Sequence, residues 1–298
     1  MISLNVMGKV TIKKTADQGS RQHRQIMLQY EKRKSGIWTF IRFFDLLYHS
    51  IVRVVRKSSS NALMGLFSNI MQSVVMIVVF YVMFSVFGMR GSAVRGDFLI
   101  FLMTGIFLFL THTKTMAAVV SSEGPASPIM KHAPMTTFLS ISSAALAALY
   151  LQLLSLAVIL FVTHVAIRPV VIENPQGVFL SFILAWFSGV AIGLIFLSIK
   201  PFAPGFTSIG TTVYSRANMI ASGKMFVANT LPSYILPYFA WNPLFHTIDQ
   251  ARGAAFINYT PHVTSIMYPI YFSLVLLVIG MMGEFYSRQY ASASWNSQ

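Results

Sequence analysis

Three stretches of this sequence, 63–87, 136–165 and 178–199, each run past twenty residues without a single Asp, Glu, Lys or Arg. A helix of roughly 20 such residues, at about 1.5 Å per residue, crosses the hydrocarbon core of a bilayer. The alternating ten-residue segments of a membrane barrel are absent. The sequence therefore predicts an all-α integral membrane protein. The charged fraction agrees: it is 10%, against about 25% in ordinary soluble domains.

There is no cysteine, so disulfides and thiolate metal sites are excluded. Residues 1–35 are polar and basic, with no apolar core of a cleavable signal peptide. The formal net charge of +14 does not indicate nucleic acid, because of where the charge lies. Residues 1–57 hold twelve Lys or Arg against three acids, a net of +9. That asymmetry is a positive-inside signal, with attraction to anionic lipid headgroups.

Residues 1–35 lack hydrophobic periodicity and read as a mobile basic cytoplasmic tail. Over 36–57 one polar stripe of Arg42, Asp45, His49, Arg53 and Arg56 runs along a helix otherwise made of Trp38, Phe40, Ile41, Phe44, Leu47, Ile51, Val52 and Val55. Such a helix lies on the membrane surface with its stripe toward water. Residues 58–298 then form a six-span transmembrane domain, introduced by an N-cap cluster at Ser58-Ser59-Ser60-Asn61.

Spans are expected at about 63–87, 98–120, 136–165, 178–199, 206–229 and 263–285. The second ends on Thr111, His112, Thr113 and Lys114, where His112 is either a proton relay or an interior-facing polar side chain. Between the second and third, 121–135 carries Gly124 and three prolines, which cannot continue a span. Ile129 and Met130 form a short apolar tooth there, between Glu123 and Lys131. This segment is either a knuckle that docks on a partner or a plain connection. The third span is rich in Ala and Ser, which allow close helix packing in lipid.

The fifth span is the most polar, carrying Tyr214, Arg216, Asn218 and Lys224. Bare cations in lipid are costly, so Arg216 and Lys224 either face a cavity or anionic ligand, or snorkel to the two surfaces. Leu231-Pro232 ends the span and opens the segment 231–260. Within it Asn242-Pro243 is a strong helix start, and the following helix, about 244–256, is too short to span. His246, Asp249 and Arg252 recur every three residues on one polar edge of that helix, suited to a structural role or to substrate contact. In this topology sixteen Lys or Arg lie inside and four outside, which places both termini in the cytoplasm.

No carboxylate falls at mid-span, which disfavours coupling to protons or sodium. Ser222-Gly223-Lys224 fails as a phosphate-binding loop, since Asn218 stands where its first Gly should be and Met225 where Ser or Thr should follow. Hydrolase elbows, paired catalytic carboxylates and metal-binding His pairs are missing too. The chain is expected to be no enzyme, to bind no metal or cofactor, and to draw any transport energy from another polypeptide.

This order of features resembles the permease subunit of type-2 ABC exporters, and most closely the capsular polysaccharide and O-antigen branch. The resemblance covers roughly residues 37–290. It is carried by Leu231-Pro232, Trp241-Asn242-Pro243-Leu244, His246, Asp249 and Arg252, with support from Met64-Gly65, Phe101-Leu102 and Gly105. Met71-Gln72 departs from it, since family members often carry an acidic residue and proline there. The resemblance implies a homodimer bound to two copies of a cytoplasmic ATPase subunit, which would hold the ATP and Mg. It implies that 121–135 couples to that ATPase, that the segment 231–260 re-enters the membrane from outside without crossing, and that the fifth spans line the path of a polysaccharide or lipid-linked glycan. Export of a lipid or small molecule, or a non-transporting membrane assembly role, are the alternatives.

Overall fold

In the computed structural model, residues 36–57, 62–88, 97–122 and 136–295 are described. The expected tail and Ser58–Asn61 cap fall outside them, as do the docking residues Glu123, Ile129, Met130 and Lys131. The chain divides into two units, residues 1–49 and 50–298.

The helix expected over 36–57 forms as α1 (Gly36–Lys57). Arg42, Asp45, His49, Arg53 and Arg56 are all exposed. Asp45 and His49, one turn apart, approach to 3.4 Å. Phe40, Ile41 and Phe44 are exposed beside the stripe, so α1 presents charged and apolar faces together.

The second unit continues with α2 (Ala62–Val86), α3 (Phe98–Val120), α4 (Thr137–Val162, prolonged by a π turn to Ile167), α5 (Pro175–Ile199), α6 (Pro204–Ala221), the five-residue α7 (Leu236–Ala240), α8 (Pro243–Ala255) and α9 (Met267–Trp295). Five of these, α2, α3, α4, α5 and α9, are long and apolar enough to cross a membrane. This is a multi-pass, all-helical membrane protein among the described residues. The 18-residue α6 is not one of the five, because its Thr, Ser, Asn and Arg content dilutes its apolar character. It also stops sooner than the expected 206–229: Ser222 is its C-cap and Gly223 has φ +72°. A left-handed glycine just past the cap is a standard helix terminator. The last helix starts at Met267 and runs on to Trp295, later at both ends than 263–285.

The centre of the bundle is α3, buried along most of its length and packed by α2, α4, α5 and α8. Its Phe101, Leu102, Ile106, Phe107 and Leu108 meet Ile77 and Phe80 of α2, Ile159 of α4, Ala185 of α5 and Leu244, Ile248 and Ala251 of α8 in one core. Without a hydrophobic drive between helices in lipid, close approach has to come from small residues. Gly189 of α5 supplies it: a Cβ there would lie 2.5 Å from the His112 carbonyl oxygen. Gly189→Ala is therefore expected to lower stability by about 1–3 kcal/mol, the usual cost of overpacking. Gly205→Ala, which meets open space, should leave thermal unfolding in detergent unchanged or slightly raised.

A candidate substrate groove and the clamp beside it

The segment after α6 is held by α8, a helix buried on nearly every side. Asn242 caps it, its side chain accepting from the Leu244 N–H at 3.0 Å, with Pro243 in the first turn. The Asn242 amide also donates to Asn218 (2.7 Å) and to the Ala221 carbonyl (3.0 Å) at the end of α6. The cap residue thus ties two helix ends together.

Arg252, 1% exposed, completes the tie from the last turn of α8. Its guanidinium donates to the carbonyls of Gly223 (2.9 Å), Phe226 (2.6 Å) and Lys224 (2.6 Å). Its far face lies 3.9 Å from the centroid of Phe101 on α3. The break after α6 would otherwise leave the Lys224 and Phe226 carbonyls unpaired in an apolar core, the Gly223 carbonyl also accepting the Phe226 N–H (3.3 Å), and a planar five-donor cation suits three converging acceptors. Gly105 of α3 permits the approach, since a Cβ there would sit 2.8 Å from the Lys224 carbonyl.

Asp249 pairs with neither His246 nor Arg252. The Tyr259 phenol and the Thr264 hydroxyl (2.7 Å) donate to its carboxylate. Burial, together with the bond to Asp249, holds the Tyr259 phenol above its ordinary range. His246 donates from Nε2 to the Ala240 carbonyl (2.9 Å) and accepts the Ser265 N–H at Nδ1 (3.1 Å). Burial lowers its pKa, against the opposing Ala240 bond and the Asp249 charge. The polar edge of α8 thus anchors the loops on either side of it.

The four expected path residues part company. Asn218 is buried against Asn242. Tyr214 meets His112 Nε2 at 2.9 Å, and His112 Nδ1 lies 2.8 Å from Ser188 Oγ. Since the Ser188 hydroxyl donates to the Ala185 carbonyl (2.9 Å), His112 donates from Nδ1 and accepts the Tyr214 hydroxyl at Nε2. That engages both ring nitrogens in joining α3, α5 and α6. Lys224, 1% exposed, places Nζ 3.7 Å from the Phe109 centroid and 5.0 Å from that of Phe80. It has no hydrogen-bond partner among the described residues, so these ring faces are its company, an arrangement that strengthens as water is removed.

Arg216 alone of the four is exposed. It lines a groove of about 670 Å³ between α2, α3 and α6, with Lys114, Lys200 and the hydroxyls of Thr207, Ser208, Thr211, Thr212 and Ser215. Among the described residues no carboxylate lines it. Lys200 also donates to the Val120 carbonyl at the end of α3 (2.7 Å). The convergence of Lys114 and Lys200 with Arg216 comes from the packing of α6 on α3 and α5.

Apolar helices around a buried core, five of them long enough to cross a membrane, with a cation- and hydroxyl-lined groove along α6, define a multi-pass helical membrane protein. No family model matches the chain. It is similar to the polysialic acid transport protein KpsM of Escherichia coli, 23% identical over 193 residues, which cover 62% of this chain and 71% of that protein. A second Escherichia coli KpsM is 28% identical over 107 residues, covering 35% and 41% of the two chains. Comparison with these transport proteins bears out the resemblance to the permeases of ABC-type polysaccharide exporters.

Proposed function

We propose that this chain is the membrane-spanning permease of an ATP-driven exporter that carries a polysaccharide, lipid-linked in the manner of capsule or O-antigen precursors, across the bacterial inner membrane. The similarity to the polysialic acid transport proteins is the observation that carries this reading. The groove adds chemistry that suits it. Thr and Ser hydroxyls exchange hydrogen bonds with sugar hydroxyls, and Arg216 with Lys200 favours acidic sugars or phosphate.

Two copies form the channel, with α6 of each as a sixth crossing along the polymer path and residues 231–260 re-entering from outside. Both termini are cytoplasmic, and α1 lies along the headgroups with Arg42, Asp45, His49 and Arg53 toward water. Two copies of an ATPase subunit bind ATP and Mg, and Glu123, Ile129, Met130 and Lys131 of the 121–135 segment dock on them. The polymer and surrounding lipids, not nucleic acid, are the remaining partners.

Co-expression with the ATPase encoded beside it tests the reading. The two subunits should co-purify, and replacing Ile129 and Met130 by Asp should reduce recovery of the ATPase at least about tenfold, since a charge buried in an apolar contact costs more than one factor of ten in affinity. Unchanged recovery would remove the docking role from this segment.

A further inference from the structure

Gln72 stands near the middle of α2 with its side chain exposed. It lines three cavities at once: the groove along α6, a cavity of about 890 Å³ between α2, α3 and α4, and an apolar trough of about 730 Å³ walled by Phe67, Val75, Val79 and Phe80 of α2 with Met219 of α6. Among the described residues, no other borders all three. An exposed amide at mid-span is costly in hydrocarbon, so it marks a side of the helix that meets polar company.

The charge around it has one sign. Arg216 is exposed in the groove that it shares with Gln72. Lys114 and Lys200 each place an ammonium donor on a neutral oxygen, Asn69 Oδ1 and the Val120 carbonyl, which leaves their charge uncancelled. Among the described residues no carboxylate lines any of the three cavities. Of α2, only Gln72 and Met76 reach the groove, so Gln72 is the one polar group this helix offers there. An amide both donates and accepts, and it does so without a charge that would neutralise Arg216.

We propose that Gln72 is a specificity-determining residue of the groove. Its amide hydrogen-bonds the hydroxyl or acetamido groups of a passing glycan. Its neutrality leaves Arg216, Lys114 and Lys200 unopposed, so the groove favours a sugar chain that bears carboxylates or phosphates over an uncharged one. The role rests on the export reading, in which a glycan passes along α6.

The purified full-length chain in detergent is titrated calorimetrically with oligosialic acid, an acidic oligomer, and with maltoheptaose, an uncharged one. The unaltered chain should bind the acidic oligomer about tenfold more tightly. Gln72→Glu, nearly isosteric, should erase that margin by setting a carboxylate beside the cations, and Gln72→Lys should widen it. Gln72→Leu should weaken both oligomers alike, by about fivefold, the worth of one hydrogen bond. All three changes fall at an exposed position, so the thermal midpoint should hold. An acidic preference that persists in Gln72→Glu while Arg216→Glu abolishes it would overturn the role of Gln72 and leave the export reading standing. Binding of neither oligomer by the unaltered chain would overturn both. Should Gln72→Leu instead separate two copies of the chain in native mass spectrometry with both affinities unchanged, the amide serves the contact between copies and the proposal falls.

Discussion

Arg252→Met is expected to cost roughly 3–5 kcal/mol, the range found when one partner of a buried charged network is removed. Methionine fills similar volume against Phe101 but leaves the carbonyls of Lys224 and Phe226 without a donor and that of Gly223 with only the Phe226 N–H. Each is a charge-assisted bond worth about 1.5–3 kcal/mol, although the chain recovers part of this by admitting water. The protein should accumulate poorly in membranes, and what remains should unfold at a markedly lower temperature in detergent. Arg252→Lys should fall in between, because a single ammonium cannot reach all three carbonyls in the plane the guanidinium covers. A near-normal thermal midpoint for Arg252→Met would show that the clamp does not hold the break after α6.

Charge reversal in the groove should leave the fold intact and remove the activity. Arg216 is exposed and sits among hydroxyls, so Arg216→Glu should insert and purify as the unaltered chain does. Surface polysaccharide is expected to fall at least about tenfold, since a like charge beside an acidic or phosphorylated chain costs several kcal/mol where a cation had attracted it. Arg216→Lys should retain most of the export. Lys224→Met separates the two cations the sequence grouped together. Its ammonium is enclosed by Phe109 and Phe80, so the change should move stability before it moves export.

Much of this architecture could be read from residue order. Long apolar runs located the five crossing helices, and α3 forms over 98–120 as expected. Asn242-Pro243 announced the start of α8, because an Asn cap and a proline in the first turn act locally. What could not be read is what depends on distant partners. A helix apolar on all sides, like α3, carries no stripe to show that it is central. Arg216 and Lys224 looked alike in sequence, but Gly223 ends the helix between them and sends one to a groove and the other into an aromatic enclosure. Asp249 shares one helix edge with His246 and Arg252, while its partners Tyr259 and Thr264 reach it from the following loop. A further signal lies in the sequence: Asn69, with Gln72 a turn later, and Gln152 are amides in spans made mostly of apolar residues, and polar groups at such depth mark functional or tightly paired sites.

Because the chain has no cysteine, a single cysteine carrying a photoreactive group can be placed at Thr212 in the groove, with Phe179 on the exposed side of α5 as the comparison. Irradiation of exporting cells should attach polysaccharide to position 212 and not to position 179, and only while the ATPase subunit is functional. Export that proceeds normally while position 212 captures lipid alone would contradict a polymer path along α6.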